Sequence, residues 1–412
     1  MPAFNLPKHS SRGLLLAFLL VPILFREVFI TLLGSIGQAL SLSPFIFAFA
    51  YALILFSGNR KVDFQYVLLL SWVFWIFTLV CLYGQLTVYG DILLSPILGS
   101  LQYLMPIILG YSVNKLASNR YGSGGAQLII KYLSLFAIVT AVGSLIQFYV
   151  SIDLFGLISN RIYTNIDNAH VTKRAISFIA SPQALGAFLG FSFPLISYYL
   201  ARDNFKRMLV YLVVFSAGLH TGSKAFIVLT AVYFFALSPL RWKVVVLCGL
   251  GLLVSIYSFT SIDLGVDAFN RLLYLPKNVL YLTSYGTFSI WHEFLTYDLS
   301  LLSVLAGNGI GSLATSSQSI FGYKILNGSS ESFLIQLYFE TGVVGTLLFL
   351  LFYLGSCVKV LRSFDKRLGL MLFALLFNMS FTPAFFGFTF ASICYVALFI
   401  PIQNEVQCHQ TI

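Results

Sequence analysis

ESFLIQLYFETGVVGTLLFLLFYL, residues 331–354, is the stretch that decides the fold class of this 412-residue chain. Beyond Glu331 at its start it contains a single charged residue, Glu340, and most of its other side chains are apolar. A helix that crosses a bilayer needs about 20 predominantly apolar residues, so this stretch predicts a transmembrane helix. A carboxylate inside such a helix is costly, and Glu340 is therefore a functional hypothesis in its own right.

The whole chain resembles this stretch in composition. Hydrophobic residues make up 58% of it, charged residues only 9%, and the mean hydropathy is +0.90. A soluble domain is about 25% charged, so the composition excludes a soluble enzyme, a disordered chain and a secreted disulfide scaffold. We expect an all-α fold, a polytopic integral membrane helical bundle of about 12 transmembrane helices, in which residues 1–412 form a single membrane domain.

Apolar runs separated by polar or Gly- and Pro-rich breaks define the predicted spans. They cover about 14–33, 40–56, 64–83, 92–112, 127–150, 175–200, 208–221, 225–238, 244–260, 331–354, 368–382 and 387–402. The two short runs 208–221 and 225–238 are either two spans or one bent hairpin that crosses the membrane only partly.

The basic residues orient the predicted bundle, because loops rich in Lys and Arg stay in the cytoplasm. Fifteen of the 24 Lys and Arg residues fall on one side and seven on the other, which predicts both termini in the cytoplasm. The opposite side carries two outer loops, 151–174 and the large loop 261–330 between the ninth and tenth spans. Within the large loop, the stretch 286–305 has helical apolar spacing and is expected to fold over the bundle.

In this arrangement the outer face carries most of the side chains that could take part in catalysis or ligand binding. Eight of the 14 acidic residues lie there, whereas the cytoplasmic loops contain little besides basic anchors. The chain has no P-loop and no D-x-D pair, which argues against a nucleotide or nucleotide-sugar substrate. The five cysteines show no C-x-x-C spacing, so we expect no disulfide and no metal site. Nucleic-acid binding is not expected, since the net charge of +10 mostly reflects the basic cytoplasmic loops.

Four of the seven basic residues predicted on the outer face, where the charge rule disfavours them, are candidate ligand-binding residues. Each of them alone could anchor a lipid headgroup, but together they suit an anionic ligand such as a pyrophosphate. They are Arg161, Arg174, Lys224 and Arg271. No cofactor is expected beside them.

Two residues near the large loop are candidates for moving protons. Glu331 opens a predicted helix, where a carboxylate either stabilises the positive helix end or acts as a general base at the membrane face. His292, in the large outer loop, is the second candidate. Glu340 follows Glu331 by nine residues, about two and a half turns, so the two carboxylates are expected on different faces of the helix.

Short motifs follow one another between residues 160 and 355. Arg174 precedes a Ser-Pro-Gln element and Gly186, and the sequence Thr-Gly-Ser-Lys ends at Lys224. A Gly-Asn-Gly segment begins at Gly307 and predicts only a flexible turn when it is taken alone, and an E-T-G-x-x-G pattern begins at Glu340. In this order and spacing the motifs resemble those of the O-antigen polymerase and ligase superfamily.

The chain departs from the superfamily pattern at several positions. Ser181 and Gln183 stand where the family has two Asn, and Lys224 stands where it has Arg. The ligase branch usually has a His just before its helix, at the position of Ser330 and Glu331 in this chain. The resemblance therefore favours the polymerase branch.

The resemblance implies a polysaccharide repeat-unit polymerase in the bacterial cytoplasmic (inner) membrane, with its active site facing the periplasm. Such an enzyme joins undecaprenyl-pyrophosphate-linked oligosaccharide units of an O-antigen or a capsule by glycosyl transfer without a metal. The outer cations, Arg174 among them, would bind the pyrophosphate, and Glu331 or His292 would remove the proton from the acceptor hydroxyl. Membrane lipid, a chain-length regulator and a flippase of the same pathway are the implied partners.

Two alternatives stay open at this point. One is an O-antigen ligase, which transfers finished polysaccharide to lipid A-core. The other belongs to a different class, a flippase or transporter for lipid-linked oligosaccharide. A transporter usually shows charged residues in the middle of several spans and often an internal repeat, whereas mid-span charges are few here.

Overall fold

The computed structural model describes the chain in segments, and the structural statements below refer to these residues. They are residues 13–56, 64–86, 94–122, 124–150, 163–167, 170–179, 181–237, 244, 287–310, 332–380 and 388–400. The predicted span 244–260 falls outside them except for its first residue.

The described residues are helical apart from one short hairpin, so the prediction of a helical bundle is confirmed. The helices are α1 (Leu14–Leu24), α2 (Arg26–Leu33), α3 (Ser35–Phe56), α4 (Phe64–Leu86), α5 (Leu94–Tyr121), α6 (Gly124–Tyr149), α7 (Pro182–Tyr199), α8 (Asn204–Leu219), α9 (Lys224–Leu237), α10 (Thr287–Thr296), α11 (Leu301–Ala306), α12 (Phe333–Ser363), α13 (Lys366–Met379) and α14 (Phe388–Leu398). Helices satisfy their backbone polar groups locally, which suits a chain this poor in polar side chains.

Several helices begin at a polar cap that the sequence supplies. Ser181 caps α7 by accepting a hydrogen bond from Ala184 N, and Pro182 occupies the first helical position. Asp203 caps α8 and Ser332 caps α12 in the same way. Such caps accept hydrogen bonds from N–H groups that have no partner within the helix, and Pro is favoured at the first helical position because it lacks an N–H group.

Two of the described helices, α6 and α12, are long and apolar enough to cross a membrane. Each contains an 18-residue window with a mean hydropathy of 2.0. Five shorter apolar helical stretches also occur in the described part of the chain, within α1, α3, α4, α9 and α14. The figure of about twelve spans stays a prediction.

A β-hairpin lies within 151–174, the region that the sequence predicts as an outer loop of an all-α chain. Strand β1 (Tyr163–Asp167) pairs antiparallel with β2 (His170–Arg174), and Tyr163 stands opposite Arg174. The fold is therefore helical with one two-stranded sheet. Apolar periodicity does not reveal so short and polar a pair of strands, because no alternation of apolar and polar residues marks it.

The packing places α6 to α9 in one group of neighbours. Helix α8 packs against α6 and α7, while α9 packs against α7 and α13. Helices α8 and α9 also contact each other, through Tyr211 and Tyr233 for example. A second group forms where α12 packs against α4, α11 and α13. The two candidate regions described below lie at contacts within these groups.

Candidate functional site

The end of the hairpin is fastened to the turn that joins α8 to α9. Arg174 ends β2, and its side chain is buried with 4% exposed. Its Nε donates to the carbonyl oxygen of Thr221 at 2.8 Å, and its Nη2 donates to that of Gly222 at 3.0 Å. The backbone N–H of Ala175 donates to the carbonyl oxygen of His220 at 2.9 Å. We call residues 220–223 the α8–α9 turn.

The sequence of the α8–α9 turn explains its shape. Gly222 has φ 58°, in the left-handed region that favours glycine, and a Cβ there would lie 3.0 Å from Nε of Arg174. The hydroxyl of Thr221 donates to the carbonyl oxygen of Gly218 and accepts from the N–H of Ser223. A Cβ on Gly186 of α7 would collide with Thr221 and Ser223. The turn therefore needs these small residues to seat against Arg174 and α7.

The chain that follows Arg174 is held just as firmly. Ser177 has φ 45°, a strained conformation for a residue other than glycine. The backbone N–H groups of Ile176 and Ser177 both donate to Oε1 of Gln147, at 2.9 and 2.8 Å, and the Ser177 hydroxyl donates to the carbonyl oxygen of Thr140. Helix α6 thus fixes the segment that carries the buried guanidinium.

Positive charge converges at this point. Lys224 is the first residue of α9 and is partly buried, next to the turn whose carbonyl groups hold Arg174. The first turn of a helix is already the positive end of its dipole, and a Lys there adds to this positive charge. The structure therefore brings together two of the four predicted cations. Arg161 and Arg271 lie outside the described residues.

A histidine that the sequence analysis did not select stands in the same turn. The Nε2 atom of His220 lies 2.7 Å from the hydroxyl oxygen of Tyr149, the last residue of α6. The imidazole also stacks on Phe148, with ring centroids 4.0 Å apart. Burial lowers the pKa of His220, which lies beyond the end of α8, so the ring is neutral at pH 7. Only the packing of α8 on α6 reveals this pair, because 71 residues separate its members.

Buried polar atoms near the α8–α9 turn lack partners among the described residues. They include Oγ of Ser223 in the turn and Nε2 of Gln147, whose Oε1 holds the segment that follows Arg174. Ser223 is 2% exposed and Gln147 is 3% exposed. Buried polar groups in native proteins are nearly always hydrogen-bonded, so such a group points to a water or ligand that completes it.

The two proton-transfer candidates from the sequence are not brought together with the α8–α9 turn by any described contact. His292 is exposed on α10, and its carbonyl oxygen accepts from the hydroxyl of Thr296. Glu331 lies outside the described residues. The stretch 286–305 contains α10 and α11, and both pack against α12, in agreement with the expected helical character.

The G-x-G and E-T-G-x-x-G motifs form a single joint. Helix α12 is interrupted at Gly342, which has φ 69° and ψ −173°, a conformation essentially confined to glycine. A Cβ on Gly342 would collide with the backbone of Leu305 and Ala306, and a Cβ on Gly307 would collide with the backbone of Glu340. The Gly307 segment, predicted as a flexible turn, is therefore a fixed packing contact. We call it the α12 joint.

Hydrogen bonds complete the α12 joint. The N–H of Asn308 donates to the carbonyl oxygen of Phe339 at 2.7 Å. From α4, Nε1 of Trp75 donates to the carbonyl oxygen of Thr341 at 3.2 Å, and Nε1 of Trp72 donates to that of Gly345 at 3.2 Å. Carbonyl groups exposed by the interruption of the helix thus find donors in neighbouring elements, as buried backbone groups must.

Glu340 is enclosed by this joint and is 1% exposed. Its Oε2 accepts from the hydroxyl of Tyr103 on α5 at 2.7 Å, and its Oε1 accepts from Nε2 of Gln336 at 3.2 Å. Both carboxyl oxygens have donors, so the residue links α5 to α12. The functional hypothesis raised by its position in an apolar helix gives way to a structural role in the α12 joint.

Within the described part of the chain, no group of three or more His, Cys, Asp or Glu residues could hold a metal ion. No protein-family model matches the chain, and no curated protein is found to be similar to it. The likeness to the O-antigen polymerase and ligase superfamily therefore rests on the motifs. The contact between Arg174 and the α8–α9 turn is the strongest geometric feature to set beside them.

Proposed function

We propose that this chain is a polysaccharide repeat-unit polymerase of the bacterial cytoplasmic membrane. The observation that carries the proposal is the burial of the Arg174 guanidinium against the α8–α9 turn, beside Lys224 at the start of α9. The motifs that contain Arg174 and Lys224 stand 50 residues apart in the sequence, and the contact of Arg174 with the α8–α9 turn supports their use as one cationic site. Such a site suits the pyrophosphate of an undecaprenyl-linked oligosaccharide, and we propose this lipid-linked oligosaccharide as the substrate.

Exposed apolar stripes support the membrane part of the proposal. On α6, Leu135, Val139 and Val142 are spaced by four and three residues, and all are exposed. On α12, Leu347 and Leu351 are more than half exposed. Large contiguous apolar surfaces on a helical bundle are typical of contact with lipid or with another protein. Lipid contact agrees with the mean hydropathy of +0.90.

The chemistry needs little more than charge and one proton acceptor. A hydroxyl of the acceptor sugar attacks the anomeric carbon of the donor, the bond from that carbon to the pyrophosphate oxygen breaks, and undecaprenyl pyrophosphate leaves with the electron pair. Arg174 and Lys224 would stabilise the negative charge that develops on the leaving group. Glu331 and His292 are the proton acceptors proposed from the sequence.

The first experiment is to delete the gene that encodes this chain and to compare the surface polysaccharide of the deletion strain and its parent. Gel electrophoresis gives the size distribution of the polysaccharide in each strain. We expect surface glycans limited to one repeat unit. Long polymer that stays on the lipid carrier would instead indicate a ligase. Single units accumulating on the cytoplasmic face would indicate a flippase.

The second experiment complements the deletion strain with variants. Arg174→Ala should lower polymer formation by about 100-fold or more while the protein stays in the membrane, and Glu331→Gln should do the same where Glu331 is the proton acceptor. Arg207→Ala is the matched control, because Arg207 lies at the opposite end of α8 from the α8–α9 turn, where its Nη2 donates to Oδ1 of Asn204. Near-normal polymer from both Arg174→Ala and Glu331→Gln would refute the proposed enzyme.

A further inference from the structure

We propose that Tyr149 and His220 form a proton relay, in which the acceptor-sugar hydroxyl gives its proton to His220 through the phenol of Tyr149. The inference rests on the proposed function and deepens it, since it assigns the proton-accepting group. It places that group next to the cationic site instead of on α10 or at the start of α12.

The geometry of the pair fits a relay. The hydroxyl oxygen of Tyr149 lies 2.7 Å from Nε2 of His220, a short hydrogen bond. Tyr149 is 67% exposed, so a substrate can reach its hydroxyl, whereas the imidazole is partly covered and stacked on Phe148. In this relay Tyr149 contacts the substrate, and His220 accepts the proton.

The pair also stands close to the anion site. The carbonyl oxygen of His220 accepts from the N–H of Ala175, and the next carbonyl group, of Thr221, accepts from Arg174. One short stretch of backbone thus carries the imidazole and holds the guanidinium. A donor sugar whose pyrophosphate binds near Arg174 would place its anomeric carbon close to an acceptor sugar at the same turn. Catalysis needs the two reacting groups to be held close together in this way.

The charge state of His220 suits a proton acceptor. Among the described residues, the titratable or charged side chains that contact or flank the α8–α9 turn include Tyr149 from α6, Arg174 from β2 and Lys224 from α9. Burial lowers the pKa of His220, so the ring starts neutral at pH 7. In the Nδ1–H tautomer, Nε2 accepts from the phenol and is ready to take its proton.

The step balances without any further reactant. The acceptor oxygen forms its bond to the anomeric carbon as it gives its proton to the Tyr149 oxygen. The Tyr149 proton passes to Nε2 of His220, and the pyrophosphate leaves with the electron pair of the broken bond. The products are the extended oligosaccharide, undecaprenyl pyrophosphate and the imidazolium form of His220, which then releases its proton to water.

The test uses the full-length protein in lipid vesicles and, as substrate, the lipid extract of the strain that lacks this chain. The rate at which single lipid-linked units disappear is measured from pH 5 to pH 8 for wild type, Tyr149→Phe, His220→Gln, the double variant, Arg174→Ala and Glu331→Gln. Tyr297→Phe is the matched control, because Tyr297 is another exposed tyrosine, and it packs against Phe339.

We expect Tyr149→Phe and His220→Gln each to lower the rate by about 100-fold, and the double variant to be no worse than either single variant. The wild-type rate should fall at acid pH as His220 becomes protonated, below its ordinary pKa of 6.5, and His220→Gln should lose this dependence. A merely structural role would not remove the acid limb of the profile. Tyr297→Phe should match wild type.

Three other outcomes would overturn the relay, and they distinguish its failure from failure of the proposed polymerase. If Arg174→Ala is inactive while Tyr149→Phe and His220→Gln stay within about threefold of wild type, the relay is wrong and the polymerase stands. If Glu331→Gln alone loses the acid limb, the proton acceptor is Glu331. If the wild-type protein leaves the lipid-linked units unchanged, the polymerase fails and the relay fails with it.

The hydrogen bond between Tyr149 and His220 can also be tested without measuring enzyme turnover. Diethyl pyrocarbonate modifies neutral imidazole nitrogens, and mass spectrometry can follow the modification at His220. Because the phenol of Tyr149 occupies Nε2, Tyr149→Phe should speed this modification several-fold. An unchanged rate would mean that Tyr149 does not hold the imidazole, which would overturn the relay.

Discussion

The α12 joint and the α8–α9 turn are both built around glycines with positive φ, but they treat their polar groups differently. In the joint, Glu340 has donors at both carboxyl oxygens, and the carbonyl groups of Phe339 and Thr341 accept from Asn308 and Trp75. Near the turn, by contrast, buried polar atoms such as Oγ of Ser223 and Nε2 of Gln147 have no partner among the described residues.

This difference separates a structural contact from a candidate binding site. A polar group that is buried without a hydrogen bond costs about 1–3 kcal/mol, so a stable fold keeps few of them. The joint is complete as it stands, and we expect its variants to change stability. The turn is incomplete, and we expect its variants to change activity more than stability.

The largest expected effect comes from Gly342→Ala, which would break the joint. The new Cβ would collide with the backbone of Leu305 and Ala306 and would also occupy a conformation that side chains rarely adopt. We expect a loss of about 4 kcal/mol or more in the free energy of unfolding, measured by thermal unfolding in detergent.

Gly34→Ala is the control for the conformational part of this effect. Gly34 has φ 55°, but a Cβ on it would meet nothing within 4 Å. It should cost only about 1 kcal/mol. Equal losses of unfolding free energy in Gly34→Ala and Gly342→Ala would mean that α11 does not pack closely against Gly342.

A medium effect is expected for Tyr103→Phe, which removes one donor from the buried Glu340 carboxyl group. The variant keeps the shape of the side chain but leaves Oε2 without the hydroxyl of Tyr103. We expect a loss of about 1–3 kcal/mol in the free energy of unfolding, because a buried carboxyl group then loses a hydrogen bond. Polymer formed per folded molecule should stay unchanged. A selective loss of activity would return Glu340 to the list of functional residues.

The apolar runs predict where the described helices lie but not all of their ends, since α7 begins only at Pro182 in the predicted span 175–200. The predicted span 64–83 corresponds to α4 and the span 127–150 to α6, with ends displaced by up to three residues. The first span, 14–33, is divided at Phe25 into α1 and α2, which sequence periodicity did not reveal. Length and hydropathy define where a helix lies, but they say little about breaks within it.

The candidate site was only partly predictable. Arg174 and Lys224 were selected because they are basic residues on a face where the charge rule disfavours them, and the structure brings their segments together. The contact between Tyr149 and His220 could not be predicted, because it depends on how α8 packs against α6. The same holds for the fit of Gly307 against Glu340, which joins two motifs that look independent in the sequence.

The smallest effect on stability, and the sharpest contrast with the joint, is expected for Ser223→Ala. The Oγ atom of Ser223 is buried without a partner among the described residues, so its removal should leave the free energy of unfolding unchanged or raise it by up to about 1 kcal/mol. Polymer formation should fall several-fold if this hydroxyl meets the substrate.

Ser332→Ala is the matched control, because Ser332 is equally buried but caps α12 by accepting from the N–H of Ile335. It should lower the free energy of unfolding by about 1 kcal/mol and leave the activity of the folded protein unchanged. A stability loss in Ser223→Ala as large as that in Ser332→Ala would mean that Ser223 already has a partner in the free protein. The α8–α9 turn would then be as closed as the α12 joint, and the argument for a ligand there would rest on Arg174 and Lys224 alone.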